Sequence, residues 1–257
     1  MKYTIISGCF EKGTSEQQAG YVGLFGQERI GYYFDLYFHW YNLGHEIGHC
    51  IVEKQGAVMS KVREEMFVNE LAVGFYRAVG ESGRLDELRE KLEQILGSMP
   101  APMPEGEAFT DFYERIWGSE LLNNVMIYGY FQLNSVLMAL RSARDFRDVM
   151  KEIGVEIGEG FGSTSEIPGE EGAGSTSIDT ASASIQEGTG EWDSSSTSKK
   201  TAADINLPGP LDIAISSENA PVFFDHALSC LRNFGIDLSE IRLELVDNPM
   251  IQCARSE

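Results

Sequence analysis

From about residue 158 to about residue 206 the chain consists mostly of Gly, Ser, Thr, Ala and acidic residues, and Trp192 is the only aromatic after Phe161 in this stretch. Such a stretch buries too little apolar surface to offset the entropy lost on ordering it, so disorder is expected there. The fold must therefore come from the flanks. Residues 1–157 form a candidate domain, 158–206 a linker or an insertion, and 207–257 a C-terminal strand–helix–strand segment. With 257 residues and 42% apolar content, this is enough for one large or two small domains.

Within the flanks, punctuation sets the elements. Residues 2–7 and 20–25 read as short strands, with Gly13 and Gly26 as stops. A Pro-free run over about 32–53 reads as a helix ending near Gly56. Ser60 is a cap for a second helix over about 61–79, stopped near Gly80 and Gly83. Leu85, Leu88, Leu92, Ile95 and Leu96 mark an amphipathic third helix. Residues 98–107 carry three prolines and form a loop, and two or three apolar helices follow between about 109 and 152. Beyond the low-complexity stretch, 211–215 reads as a strand, 218–234 as a helix and 241–246 as a strand.

Charge and cysteine usage narrow the function classes. Forty acids against 20 Lys plus Arg give a formal charge of −20, which opposes binding to nucleic acid or to an anionic membrane. No run of about 18 apolar residues exists to span a bilayer. Residues 1–10 lack the length and cleavage site of a signal peptide. Cys9, Cys50, Cys230 and Cys253 are scattered without a CxxC pair, so a cysteine zinc site is not expected and a reduced, cytoplasmic setting is.

Inside the first long helix stands His45-Glu46-Ile47-Gly48-His49, an HExxH pattern. Side chains four apart share a helix face, one turn apart. Two imidazoles so placed can reach one zinc ion at about 2.0–2.1 Å each. Glu46 is turned about 100° from His45, which keeps it off the metal and beside a water held there, as a general base. The neighbours Leu43, Ile47, Gly48, Cys50, Ile51 and Val52 are uncharged, as a buried site requires.

A catalytic zinc takes a third protein ligand and leaves one position open. Glu53 lies about 12 Å along the helix from His45 and cannot join both histidines on one ion. Glu64 and Glu65 sit early in the next helix, where the helix dipole favours acids anyway. Glu70 is the expected ligand. It follows Asn69 about two turns into that helix, and its face is otherwise apolar or small, through Phe67, Leu71, Gly74 and Ala78. A buried charge there needs a partner. Gly74 and Ala78 would let the two helices approach, and an antiparallel return after Gly56 would carry Glu70 back to the histidines.

HExxH followed by Asn69-Glu70 in the next helix resembles the gluzincin metallopeptidases, and the apparent lack of a signal resembles the cytoplasmic ImmA/IrrE-like peptidases. The resemblance covers about residues 20–80. It implies one zinc per chain on His45, His49 and Glu70, Glu46 as base, Asn69 at the family's Asn position, and a peptide or protein substrate. It also implies an edge strand beside the active helix, for which residues 21–25 are the candidate, pairing with extended substrate.

An oxyanion partner is also needed. Tyr128, Tyr130, Tyr113 and His226 are the candidates; Tyr128 is the one carried forward, against the plainer reading of a core tyrosine. His39 faces away and reads as structural. The dense aromatic run from Tyr32 to Tyr41 reads as core around the zinc helix or as a substrate wall. Cys50 reads as a small buried apolar residue.

The expected fold is α+β, helix-rich, with a small sheet beside the HExxH helix. The expected function is zinc-dependent peptide hydrolysis. Two alternatives stand: a non-catalytic zinc-binding interaction protein, suggested by residues 158–206, and a hydrolase of a non-peptide bond.

Overall fold

The computed structural model describes residues 2–157 and 209–249 and the backbone of 252–256. The expectations for residues 158–206 lie outside these. A helix-rich α+β fold surrounds a three-stranded sheet of order β2-β1-β3. Central strand β1 (Tyr3–Gly8) is buried at every position, as suits a strand covered on both faces. β2 (Ile241–Val246) runs parallel to it, with Tyr3 opposite Ile241 and Gly8 opposite Val246. β3 (Gln252–Ser256) runs antiparallel on the other side, pairing Ser256 with Tyr3. The C-terminal segment therefore completes the N-terminal sheet. Gly8 is required where β1 ends, because a Cβ there would lie 1.9 Å from the Asn248 carbonyl oxygen.

Residues 20–25, expected as a strand, belong instead to helix α1 (Ser15–Phe25). Its start is fixed by a capping box: Thr14 accepts from the Gln17 amide, and the Gln17 side chain accepts from the Thr14 amide at 2.9 Å. That signal outweighs the two helix-weakening glycines, Gly20 and Gly23. Edge-strand pairing of substrate at 21–25 is thereby excluded. Residues 211–215 likewise form no strand; among the described residues the sheet has three.

The expected zinc helix is one continuous rod in three parts. Helix α2 (Ile30–Asp35) passes through a π-helical turn (Leu36–Tyr41) into α3 (Asn42–Gln55). The extra residue of a π turn shifts the helix face. Tyr76 packs on this turn, its ring against Trp40 and its hydroxyl donating to the Trp40 carbonyl at 2.5 Å. α3 stops at Gly56, which takes φ of 64°. Its Leu43, Ile47, Cys50 and Ile51 are buried, and full burial of each Leu or Ile is worth roughly 1.5–3 kcal/mol.

Ser60 caps α4 (Lys61–Ala78), accepting from the Arg63 amide at 3.1 Å. The pairing of His49 with Glu64, of His45 with Asn69 and of Trp40 with Tyr76 makes α4 antiparallel to α3. The close approach comes from the α3 side: a Cβ at Gly48 would meet the Val68 Cβ at 3.0 Å. Gly74, expected to serve this contact, faces Phe146 instead.

The remaining helices enclose this pair. α5 (Ser82–Ser98) buries Leu85, Leu88, Leu92 and Ile95. α6 (Phe109–Ile116) and α7 (Val125–Arg141) share a second small core around Tyr113 and Phe131. α8 (Phe146–Glu152) packs on α4. α9 (Ala220–Asn233) buries Phe223, Phe224 and Ala227 in the main core with Trp40 and Phe75. Among the described residues no helix is long and apolar enough to cross a membrane.

Candidate metal centre

α3 and α4 bring His45, His49 and Glu65 together, with one donor atom of each lying within 4.8 Å of the others. The two Nε2 atoms face each other at 3.2 Å. Glu65 closes the triangle, with Oε2 3.4 Å from His45 Nε2 and Oε1 3.6 Å from His49 Nε2. Donors held about 2.0–2.1 Å from one ion at the tetrahedral angle stand about 3.3–3.4 Å apart. The spacings are close to those of donors around one small divalent ion, with either oxygen of Glu65 available as the third ligand.

The outer nitrogens fix the tautomers. His45 Nδ1 donates to Asn69 Oδ1 at 2.9 Å, and His49 Nδ1 donates to Glu64 Oε1 at 2.9 Å. The same Asn69 oxygen accepts from the Tyr41 hydroxyl at 2.9 Å, while its Nδ2 donates to the Glu65 carbonyl at 2.9 Å. That network orients the amide. With both Nδ1 atoms protonated, the two Nε2 lone pairs face one another, an arrangement that a cation between them would relieve. Burial opposes charge on His45, but the hydrogen bond and charge of Glu65, with Glu46 and Asn69, override it and raise its pKa to about 9. Glu65 is likewise pulled below the usual carboxylate range by His45 and His49 despite its burial. Glu64, holding His49 and the Lys61 ammonium, falls to about 2.

Glu70 is not part of this centre. Its Oε2 lies 2.6 Å from Arg144 Nη1 and 3.7 Å from Arg63 Nη1. Those arginines, not the histidines, are the partners its charge needs. The reason is azimuth. Asn69 lies four residues after Glu65 on one helix face, whereas Glu70 is turned about 140° from Glu65. Position along the helix also favours Glu65. The α3–α4 turn folds the chain back on itself, so a residue six before the end of α3 meets one in the first turns of α4. Both cues were present in the sequence, but dipole stabilisation of Glu64 and Glu65 gave those acids a sufficient ordinary role.

Glu46 is buried and accepts from Asn42 Nδ2 at 3.1 Å through Oε1. Among the described residues its Oε2 has no hydrogen-bond partner. It lines a cleft of about 1040 Å³ that also exposes His45 and His49. Tyr128 stands in the same cleft. Gln132 Nε2 donates both to the Tyr128 hydroxyl, at 2.8 Å, and to Glu65 Oε2, at 3.2 Å. Gln132 is thus a neighbour of the centre that the sequence did not single out. Burial, with the charges of Glu65 and Glu46, pushes the Tyr128 phenol up to about 12, so it keeps its proton.

The other candidates separate cleanly. Tyr113 is buried and donates to the Ile127 carbonyl. Neither Tyr130 nor His226 lines the cleft; His226 lies 3.6 Å from Cys230 Sγ. His39 is structural, held between Asp35 at 2.5 Å and the Gly8 carbonyl at 3.0 Å. Cys50 borders the cleft, but burial pushes its thiol up to about 12, which removes it as a nucleophile. Of the aromatic run, Phe34, Trp40 and Tyr41 are core, while Tyr37 and Phe38 also line the cleft. No family model matches the chain, and no curated protein or solved structure does so either.

Proposed function

We propose that this chain is a zinc-dependent peptidase in which His45, His49 and Glu65 hold the metal and Glu46 is the general base. The observation that carries the reading is the facing pair of Nε2 atoms, 3.2 Å apart, with both outer nitrogens committed to acceptors and a carboxylate closing the triangle. Two histidines and one carboxylate form the ligand set of hydrolytic zinc sites with an open coordination position. A zinc ion held there would supply Lewis acidity toward a carbonyl and toward water.

The chain's own groups do the rest. Glu46 Oε2, free of partners on the protein, takes the proton of an attacking water and returns it to the departing amine. Asn42 holds the other oxygen and fixes the carboxylate plane. The Tyr128 hydroxyl accepts from Gln132 and so has its own proton to donate to the oxygen on which charge develops. Asn69 and Glu64 hold the imidazoles in the tautomer that offers Nε2 inward. Sparse cysteine usage, four in 257 residues, supports a cytoplasmic location as part of this proposal.

Glu46→Gln separates binding from chemistry. The variant should retain about one zinc per chain by elemental analysis and lose peptide cleavage by at least about a hundredfold, the scale of a general base. Cleavage at the wild-type rate would remove Glu46 from the mechanism.

A further inference from the structure

The cleft over the metal centre has two helical walls. Glu16, Gln17, Gly20, Tyr21 and Leu24 put one face of α1 along it, and Val125, Met126, Tyr128, Gly129 and Gln132 do the same from α7. Each wall has a glycine. A Cβ built at Gly20 or at Gly129 meets nothing within 4 Å, and neither residue has a positive φ. Among the described residues nothing therefore requires glycine at either place, and each costs its helix roughly 1 kcal/mol relative to alanine. Gly23 in α1 has the same open surroundings but does not line the cleft.

The walls are also chemically biased. Val125 and Met126 are exposed large apolar residues, 66% and 52% accessible. Among the described residues the lining carboxylates are Glu16, Glu46, Glu53, Glu64 and Glu65, against Lys61 as the one Lys or Arg. Lys61 is already paired with Glu64 at 2.7 Å. Five negative charges against one positive leave the lining anionic even with a divalent ion added. Glu46, whose Oε2 has no hydrogen-bond partner among the described residues, is the general base of the peptidase reading and belongs to the same lining.

Resting on the peptidase reading above, we infer that the substrate is an extended, basic and apolar polypeptide segment whose main chain passes between Gly20 and Gly129. The missing side chains give the backbone room to approach both walls over the histidines. Val125, Met126 and Leu24 receive apolar side chains, and Glu16 and Glu53 face basic ones.

The test compares Gly20→Ala, Gly129→Ala and, as a control on the same helix, Gly23→Ala. All three should bind zinc as wild type does and melt at equal or higher temperature. Two unstructured peptides of matched apolar content, one lysine-rich and one glutamate-rich, are offered with a small aryl ester that needs no threading. Wild type should cleave the basic peptide with kcat/KM at least tenfold above the acidic one. Gly20→Ala and Gly129→Ala should lose at least tenfold on the basic peptide while keeping ester hydrolysis, and Gly23→Ala should lose neither. Equal cleavage of the two peptides, or unimpaired peptide cleavage by both cleft variants, overturns this inference and leaves the peptidase reading standing. Failure of the zinc-loaded wild type to cleave either peptide overturns the peptidase reading and this inference with it.

Discussion

Asn69 does three jobs at once, accepting from His45 and Tyr41 at one oxygen and donating to the Glu65 carbonyl from its nitrogen. It therefore ties both helices of the centre to a single ring orientation. Asn69→Ala should weaken zinc binding about 10–100-fold, the usual cost of losing an outer partner of a ligating histidine. Competition with a chromophoric chelator measures it; wild-type affinity would show that the His45 ring is held some other way. At this scale the sequence was informative wherever spacing alone determines geometry. His45, Glu46 and His49 follow from the i, i+1, i+4 positions of one helix. Glu65 does not, because choosing among three acids on a second helix requires the crossing point and relative rotation of two rods. Asn69 contacts His45, whereas the neighbouring Glu70 is turned to Arg144.

Elements were legible where a cap or a stop marks them. Gly56, Ser60 and the leucine stripe from Leu85 to Leu96 define α3, α4 and α5 closely. Over 20–25 the Tyr, Val and Phe between glycines carry a strand signal, and the Thr14–Gln17 capping box outweighs it. The π turn left no sequence signature; it is defined by tertiary packing of Tyr76 against the backbone of Trp40. Gly44 belongs to the same contact, since a Cβ there would meet Tyr76 Cε2 at 2.7 Å and its hydroxyl at 3.1 Å. Gly44→Ala should therefore destabilise the fold by about 1–2 kcal/mol net, overpacking outweighing the gain in helix propensity. Denaturant titration reports this, and a variant as stable as wild type would mean that Tyr76 gives way freely.

For the whole molecule, the sequence predicted a small sheet beside the active helix but not its order. Strands β1 and β2 lie more than 230 residues apart, and such pairing has no local signal. Lys54, near the end of α3, donates to the Asp237 carbonyl at 2.6 Å and pairs with Glu240 at 3.0 Å, anchoring α3 to the start of β2. Protonation and stability are linked through His45. His45 has a pKa of about 9 in the metal-free fold, above its ordinary 6.5. Its contribution is thus fully present below pH 6.5 and is lost as pH rises through 9. Metal-free protein should lose stability across that window in thermal melts, and His45→Asn should flatten the slope. An unchanged slope in the variant would assign the effect to other groups.

The central claim is that Glu65, and not Glu70, completes the metal-binding triangle. Zinc content per chain, measured by mass spectrometry on dialysed Glu65→Ala and Glu70→Ala, puts it to the test directly. About one equivalent is expected in wild type and in Glu70→Ala, and near none in Glu65→Ala. Zinc retained by Glu65→Ala, or lost from a folded Glu70→Ala, would contradict it.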